Sequence, residues 1–372
     1  MKYFLLSLFL FIGLKTEAQQ TVKTPSGYDF KIKENIACTP VKSQDRTGTC
    51  WSFSTVSFLE SELLRQGKGT YDLSEMYIVR NIYKDKAMNY VLRQGKAQFS
   101  QGSLNHDVMR AFKANGIVPE AAYSGKQTGE TKHDHSELVA GLKGYLDGIM
   151  KSKRLSTKWM RGFEGILDAY LGEMPEKFEY AGNRVDVSGF TKDLGLDADD
   201  YVELTSYTHH PFYEQFVLEI PDNYSNGSYY NVPLADLTAV VDNAISKGFS
   251  VAWDGDVSEK GFNAREGLAI VPADEDREDL YEMPGKEMNI TQEERQSTFL
   301  SYSTTDDHLM HLTGTATDQN GTKYYLTKNS WGEISDHKGF LYMSEAYFKL
   351  KTVGVLVHKD AIPASIKQRL QI

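Results

Sequence analysis

Cysteine is scarce in this chain: its 372 residues include only Cys38 and Cys50. Two cysteines cannot build the network of disulfides that stabilises small secreted domains. One bridge between the two is conceivable, but it would block the Cys50 thiol. The fold must therefore depend on a hydrophobic core, and 40% hydrophobic residues in a chain of this length are enough to bury a large one.

Runs of basic residues are also missing. The formal net charge is −10, and lysine and arginine are dispersed along the chain. Nucleic acids and anionic membrane surfaces are bound by clustered basic residues. We therefore expect neither as a partner.

Long apolar runs are missing outside the N-terminus. There, Lys2 precedes an apolar run over residues 4–14, and Ala18 offers a small residue for cleavage. The run is shorter than the about 20 residues that a transmembrane helix needs. The pattern predicts a signal peptide over residues 1–18, so that the protein is periplasmic or secreted and leaves the membrane after cleavage. An uncleaved N-terminal anchor is the alternative.

The periodicity of the apolar residues divides the rest of the chain into parts with different predicted secondary structure. Helices are predicted at residues 50–66, 74–94, 103–115, 136–153, 156–171 and 234–247. Strands are predicted at residues 202–207, 216–220, 249–253, 309–316, 323–328, 340–343 and 353–357. The expected organisation is a helical part (19–125), an insertion of mixed structure (126–232) and a β-rich part (233–372).

Cys50 lies where the first of these helices is predicted to begin, with Thr49 as a plausible N-cap. The N–H groups and the dipole at a helix N-terminus favour an anion, so we expect the thiol to ionise more readily than a free cysteine, whose pKa is about 8.5. A nucleophile of this kind needs a base and donors for the oxyanion. Gln44 and the Cys50 N–H can supply these donors. Taken alone, however, such a cysteine is more often a buried packing residue.

The β-rich part offers a base and a group to orient it. His308 opens one predicted strand, and Asn329 follows the strand that returns from a turn at residues 320–321. His308 could then take the Cys50 proton while the Asn329 carbonyl fixes the tautomer. Trp331 could shield that hydrogen bond from water. His311 is the rival base, but its odd spacing from His308 places it on the opposite strand face, which favours a packing role.

Together these residues resemble the papain-like cysteine peptidases. The matching pieces are, in order, Gln44, Cys50-Trp51, Asp307-His308 and Asn329-Ser330-Trp331-Gly332. The interval from residue 50 to residue 308 is much longer than the about 130–150 residues of papain-type enzymes, in agreement with an insertion. The insertion and segments such as Gly248–Asp256 and His337–Phe340 make the chain similar to the bleomycin hydrolase and aminopeptidase C branch.

The resemblance implies an α+β fold in which a helical part with Cys50 faces a β-rich part with His308 and Asn329 across a peptide-binding cleft. It implies a cysteine peptidase, most simply an aminopeptidase, that works by acyl transfer with Gln44 at the oxyanion. It also implies peptide substrates and a homohexamer. No metal or organic cofactor is required.

Three features depart from this branch, whose usual members are cytosolic. The chain has an expected signal peptide. It ends at Ile372, so we expect the extended C-terminal arm that restricts cutting to N-terminal residues to be missing. Gln101-Gly102 stands where a glycine pair lines the substrate groove. A secreted endopeptidase with an open cleft and a non-catalytic papain-fold binding protein are therefore the alternatives. A transglutaminase-type Cys-His-Asp enzyme is disfavoured by Asn329 in its Asn-Ser-Trp-Gly context.

Overall fold

The computed structural model describes residues 21–23, 27–152 and 154–372. The predicted signal peptide lies outside these residues and stays a prediction. Within the described ranges, no helix combines the length and the hydropathy that a membrane-spanning segment requires. Cys38 and Cys50 are both free thiols, so the conceivable bridge between them is not formed.

The predicted helices are confirmed, with ends that differ by a few residues. The helices of the described residues are α1 (Cys50–Arg65), α2 (Glu75–Leu92), α3 (Asn105–Asn115), α4 (Ser136–Ile149), α5 (Trp159–Leu171), α6 (Val187–Leu194), α7 (Leu234–Ser246), α8 (Gln292–Leu300), α9 (Glu345–Lys351) and α10 (Ala364–Leu370). Local chemistry sets several of the ends. The Ser74 hydroxyl accepts from the Tyr77 N–H at the start of α2, and Gly116, at a φ of +73°, ends α3 in a conformation that favours glycine.

Most strands join one large mixed sheet. The strands are β1 (Thr21–Lys23), β2 (Asp29–Asn35), β3 (Lys177–Tyr180), β4 (Asn183–Asp186), β5 (Tyr201–Thr205), β6 (Gln215–Val217), β7 (Ser228–Asn231), β8 (Val251–Gly255), β9 (Phe262–Asn263), β10 (Leu268–Ala269), β11 (His308–Thr317), β12 (Lys323–Lys328), β13 (Phe340–Ser344) and β14 (Thr352–His358). The sheet order is β6-β7-β5-β14-β8-β11-β12-β13-β10-β9, with β2 also paired to β11. The predicted β11–β12 hairpin is confirmed.

Helix α1 lies against the sheet and carries Cys50 at its first position. Phe58 and Leu59 of α1 are fully buried and form a cluster with Ala252 of β8 and Leu356 of β14. The Ser54 hydroxyl donates to the Met310 carbonyl of β11 at 2.6 Å. The helix that begins at Cys50 is therefore fixed to the strand that begins at His308.

The insertion predicted at residues 126–232 is not one separate body in the structure. Its helices α4, α5 and α6 contribute to the same core cluster as α1 and α2. Its strand β5 pairs with β14 and so extends the main sheet. Both halves of the fold are thus enlarged by this segment.

Two histidines of the polar segment 125–135 are buried, although its composition is typical of an exposed loop. His133 and His135 are 5% and 2% exposed. The Tyr83 hydroxyl and the His135 Nδ1 lie 3.0 Å apart, and His133 packs its ring edge against Phe53. Burial lowers the pKa of both histidines to about 4.

The C-terminal helix α10 packs onto the β-rich part. Ile366 and Leu370 are buried in the cluster that also holds Leu237 and Val241 of α7. Cys50 belongs to a different cluster, with Leu309. Residues 364–370 therefore pack into a core separate from the one around the Cys50 thiol.

Because α1 joins the two parts, its packing should dominate stability. Phe58→Ala removes a fully buried ring that meets Tyr201 edge to face, and we expect it to lower the free energy of unfolding by about 3–5 kcal/mol. Leu92→Ala, at a residue that is 73% exposed, is the matched control and should change it by less than about 0.5 kcal/mol. Urea unfolding followed by circular dichroism measures both, and equal losses would contradict this account.

Candidate active site

The loop before α1 is held by residues from the other half of the fold. The Gln44 N–H donates to the Ser330 carbonyl at 2.8 Å, and the Ser330 hydroxyl donates to Gln44 Oε1 at 2.6 Å. Gln44 Nε2 donates one hydrogen to the Thr47 carbonyl at 2.6 Å. An amide has two such hydrogens, so the second is available to another acceptor.

Cys50 is the first residue of α1, and Thr49 occupies the N-cap position as predicted. The Thr49 side chain does not cap the helix. Its carbonyl accepts from Ser52 N–H and Phe53 N–H, whereas the Cys50 N–H has no acceptor among the described residues. That N–H and the spare hydrogen of Gln44 are both donors of the kind that bind an oxyanion.

The prediction that Cys50 ionises easily is wrong for the enclosed site. Cys50 is 7% exposed, and burial raises the pKa of its thiol to about 12, with smaller contributions from the charges of Asp306 and Asp254. Hydrogen bonds from the Leu309 and Trp51 amides lower the pKa but do not compensate. The thiol is therefore neutral and needs a partner that takes its proton.

His308 and Asn329 meet as their positions at the hairpin ends predict. His308 Nε2 and Asn329 Oδ1 lie 2.8 Å apart. The same Asn329 oxygen accepts from the Ser330 N–H at 2.7 Å, which identifies it as the carbonyl oxygen. His308 Nε2 must then carry the hydrogen, and Nδ1 keeps its lone pair. Burial lowers the pKa of His308 to about 4, so the imidazole is neutral and can act as a base.

The surroundings of His308 differ from those of His311, the other candidate base. The Trp331 ring lies 4.7 Å from the His308 ring, centroid to centroid, in a position to cover the hydrogen bond to Asn329. His311 is fully buried, and its Nδ1 lies 3.0 Å from the Ser57 hydroxyl. As expected from its place on the strand, His311 is a packing residue.

Sequence reasoning missed the residues that position this group. Ser330 orients Gln44, although it was visible within the Asn-Ser-Trp-Gly motif. Gln101, which was noted for the groove, accepts from the Gly48 N–H at 2.7 Å through Oε1, and its carbonyl accepts from Trp51 Nε1 at 2.9 Å. Gln101 thus supports the loop that leads to Cys50.

Comparison with known proteins shows which class of protein this chain belongs to. Residues 24–162 match the papain family of cysteine proteases, and residues 171–372 match the Peptidase C1-like family. The second match spans more than half of the chain, so the chain belongs to the Peptidase C1-like family. It is a cysteine-type peptidase of the aminopeptidase C branch with a papain-like α+β fold, as the resemblance implied.

Its relatives are similar over most of their lengths. Aminopeptidase G of Lactobacillus delbrueckii subsp. lactis is 25% identical over 86% of this chain and 80% of that protein. Aminopeptidase C of Streptococcus thermophilus is 21% identical over 90% of this chain and 84% of that protein. The crystal structure of PepW from Lactobacillus rhamnosis HN001 has the same fold, with a TM-score of 0.73 and 19% identity over 94% of this chain and 85% of that one.

The neutral thiol and the neutral imidazole predict a distinctive pH profile. The rate at which iodoacetamide alkylates Cys50 should fall as the pH drops through about 4, because protonated His308 can no longer take the thiol proton. At neutral pH, His308→Gln should slow alkylation by about 100-fold.

Mass spectrometry on a Cys38→Ser background measures this rate for Cys50 alone, since the chain has no other cysteine. Circular dichroism at each pH controls for unfolding. An unchanged rate and pH profile in His308→Gln would show that this histidine is not the base.

Proposed function

We propose that this chain hydrolyses peptide bonds through a Cys50–His308–Asn329 site with Gln44 at the oxyanion. The observation that supports this most directly is the 2.8 Å hydrogen bond between His308 Nε2 and Asn329 Oδ1. It fixes the tautomer in which Nδ1 is the free base, as acyl transfer to a cysteine requires.

In the first half of the reaction, the Cys50 sulfur attacks the substrate carbonyl carbon and its proton passes to His308 Nδ1. The carbonyl oxygen becomes an oxyanion, which accepts hydrogen bonds from the Cys50 N–H and from Gln44 Nε2. When the C–N bond breaks, His308 returns the proton to the leaving amine. A thioester to Cys50 remains.

In the second half, His308 takes a proton from water, and the hydroxide attacks the thioester carbon. The same donors hold the second oxyanion. The C–S bond breaks, Cys50 regains a proton from His308, and the carboxylic acid leaves. Asn329 keeps the imidazole in place throughout, and Trp331 limits the access of water to their hydrogen bond.

We infer that cleavage removes residues from the peptide N-terminus, because the similar proteins are named as aminopeptidases. Endopeptidase activity is the second candidate. The position of α10 favours endopeptidase activity. Ile366 and Leu370 pack into the core beside α7, and that core is separate from the one around Cys50. Export through the signal peptide and assembly into a homohexamer stay predictions.

Two matched peptides distinguish the candidates, one with a free and one with an acetylated N-terminus. Stepwise removal of residues from the free peptide alone is expected for an aminopeptidase. Internal cuts in both peptides would identify an endopeptidase. The digestion is carried out under reducing conditions and followed by mass spectrometry.

Cys50→Ala should abolish cleavage, whereas Cys38→Ser, which removes the other thiol, should retain it. If the wild-type protein cleaves no peptide and its Cys50 resists a thiol-directed inhibitor, the peptidase proposal fails. The non-catalytic binding protein would then be favoured.

The orienting role of Asn329 makes a separate prediction. Asn329→Ala leaves the His308 Nε2–H without its acceptor and should lower kcat/KM by about 100-fold. Asn329→Asp keeps an acceptor and should retain more activity. Its carboxylate favours the imidazolium, so the acid limb of the pH profile should move to higher pH.

Asn183→Ala, at an exposed position of the β3–β4 hairpin, is the matched control and should have wild-type kinetics. Equal losses in Asn329→Ala and Asn329→Asp, with no movement of the pH profile, would assign Asn329 a structural role only.

A further inference from the structure

Two carboxyl groups approach the Cys50 thiol from the sheet. Asp254 of β8 lies directly opposite Leu309 of β11 in the antiparallel register, and the Leu309 amide bonds to the Cys50 thiol. Asp306 precedes His308 by two residues. The charges of both carboxyls raise the pKa of Cys50, which shows that they lie within electrostatic reach of its sulfur.

Neither carboxyl forms an ion pair with a described cation. Asp254 is 1% exposed, and its oxygens and Asp306 Oδ2 have no described partner beyond the contact between the two carboxyls. Burial raises the pKa of Asp254, and the adjacent Asp306 carboxyl raises it further because the two are close enough to share a proton. A buried carboxylate without a counter-charge is costly, so such groups are normally paired.

Other buried acids nearby do have their cations. Glu203 bonds to the His106 ring, whose pKa is raised to about 9 chiefly by that carboxylate against the effect of burial. Asp107 forms an ion pair with Arg110 at 3.0 Å. The lack of a cation at Asp254 and Asp306 is therefore not shared by these two neighbouring acids.

Lys86 is a nearby ammonium that does not form an ion pair with either carboxyl. Lys86 donates to the Gly102 carbonyl and forms no ion pair within the described ranges. Burial lowers the pKa of Lys86 to about 8. It also faces Asp222, whose carboxylate lies so close to Gly102 that a Cβ there would collide with it. The largest effects on the pKa of Asp254 come from burial and neighbouring carboxyls, and none of them comes from a cation.

Asp306 of this pair also borders a cavity. Asp306 lines a cavity of about 360 Å³ together with Ile220, Pro221 and Thr305. Gly102 lies next to Asp222 and directly follows Gln101 in the chain. Gln101 in turn supports the loop that leads to Cys50. Asp306 therefore borders this cavity and also acts on the Cys50 thiol through its charge.

We propose that Asp254 and Asp306 form an anionic subsite that holds a positively charged group of the peptide substrate on the acyl side of the scissile bond. The proposal rests on the peptidase function above and adds the charge of the preferred substrate. The group is an ammonium or guanidinium, supplied either by the free N-terminus or by a basic side chain. Binding supplies the missing counter-charge and displaces the shared proton.

Two pairs of fluorogenic peptides test this subsite and identify the source of the charge. The first pair has neutral side chains and differs only in a free or acetylated N-terminus. The second pair is acetylated and carries arginine or citrulline at the second residue before the scissile bond. Citrulline has nearly the shape of arginine without its charge, so each pair isolates one cation.

The wild-type enzyme should prefer the charged member of at least one pair. Asp306→Asn and Asp254→Asn should each lower kcat/KM for that peptide by about 10- to 100-fold, mainly through KM, as expected for a lost charge-assisted hydrogen bond. Because these charges raise the pKa of Cys50, their loss should not slow cleavage of the neutral member, so the preference for the charged member should shrink. Asp199→Asn removes an exposed carboxylate paired with Lys113 and is the control, with no change expected.

A preference within the first pair assigns the subsite to the terminal ammonium, and a preference within the second assigns it to a basic side chain. Equal cleavage within both pairs by the wild-type enzyme would overturn the subsite, even if neither variant folds. A preference that survives in both variants would overturn it as well. Cleavage of the neutral peptides reports on the peptidase function separately, so the two failures are distinguishable.

Discussion

Two backbone hydrogen bonds between residues 42–44 and residues 330–332 hold the site together. The Gln44 N–H donates to the Ser330 carbonyl at 2.8 Å, and the Gly332 N–H donates to the Lys42 carbonyl at 3.1 Å. They join the loop that leads into α1 to the segment that follows β12. Because Asn329 lies in that segment and Gln44 in that loop, the same short contact positions the two side chains that are proposed to orient the histidine and to bind the oxyanion. The relative position of the two halves is therefore set beside the proposed site.

Burial decides the charge state of the site. A helix N-terminus stabilises an anion by about 0.3–1 kcal/mol near the surface, whereas removing an ionised group from water costs several kcal/mol. The second effect is larger at Cys50, which explains why its pKa rises despite its position at the start of α1. The same burial lowers the pKa of His308. Both groups are then neutral, and under the proposed mechanism the proton passes from Cys50 to His308 only when a substrate or an alkylating reagent reacts with the sulfur.

The sequence was sufficient to predict the helical and β-rich parts, the β11–β12 hairpin and the approach of His308 to Asn329. These features follow from short-range signals, namely apolar periodicity, a turn at residues 320–321 and a motif around each site residue. The sequence was not sufficient to predict the burial of His133 and His135. Their neighbours in the chain are polar, whereas the contacts that bury them, with Phe53 and Tyr83, come from distant parts of the chain. Nor did the sequence indicate Asp254 and Asp306, because their proximity arises from the register of β8 against β11, and two separate aspartates carry no local signal for that pairing.

The acidic pair and the nucleophile are electrostatically linked, and the link has a consequence for catalysis. The charges of Asp306 and Asp254 raise the pKa of Cys50 in the empty site. A cation bound between these carboxyls and the cleft would cancel that contribution and favour the thiolate, because a positive charge stabilises a nearby anion. Under the proposed subsite, the charge that a peptide brings would then contribute to binding and also to the activation of the thiol. A neutral peptide would gain neither effect, so selectivity for charge would arise in the chemical step as well as in the affinity.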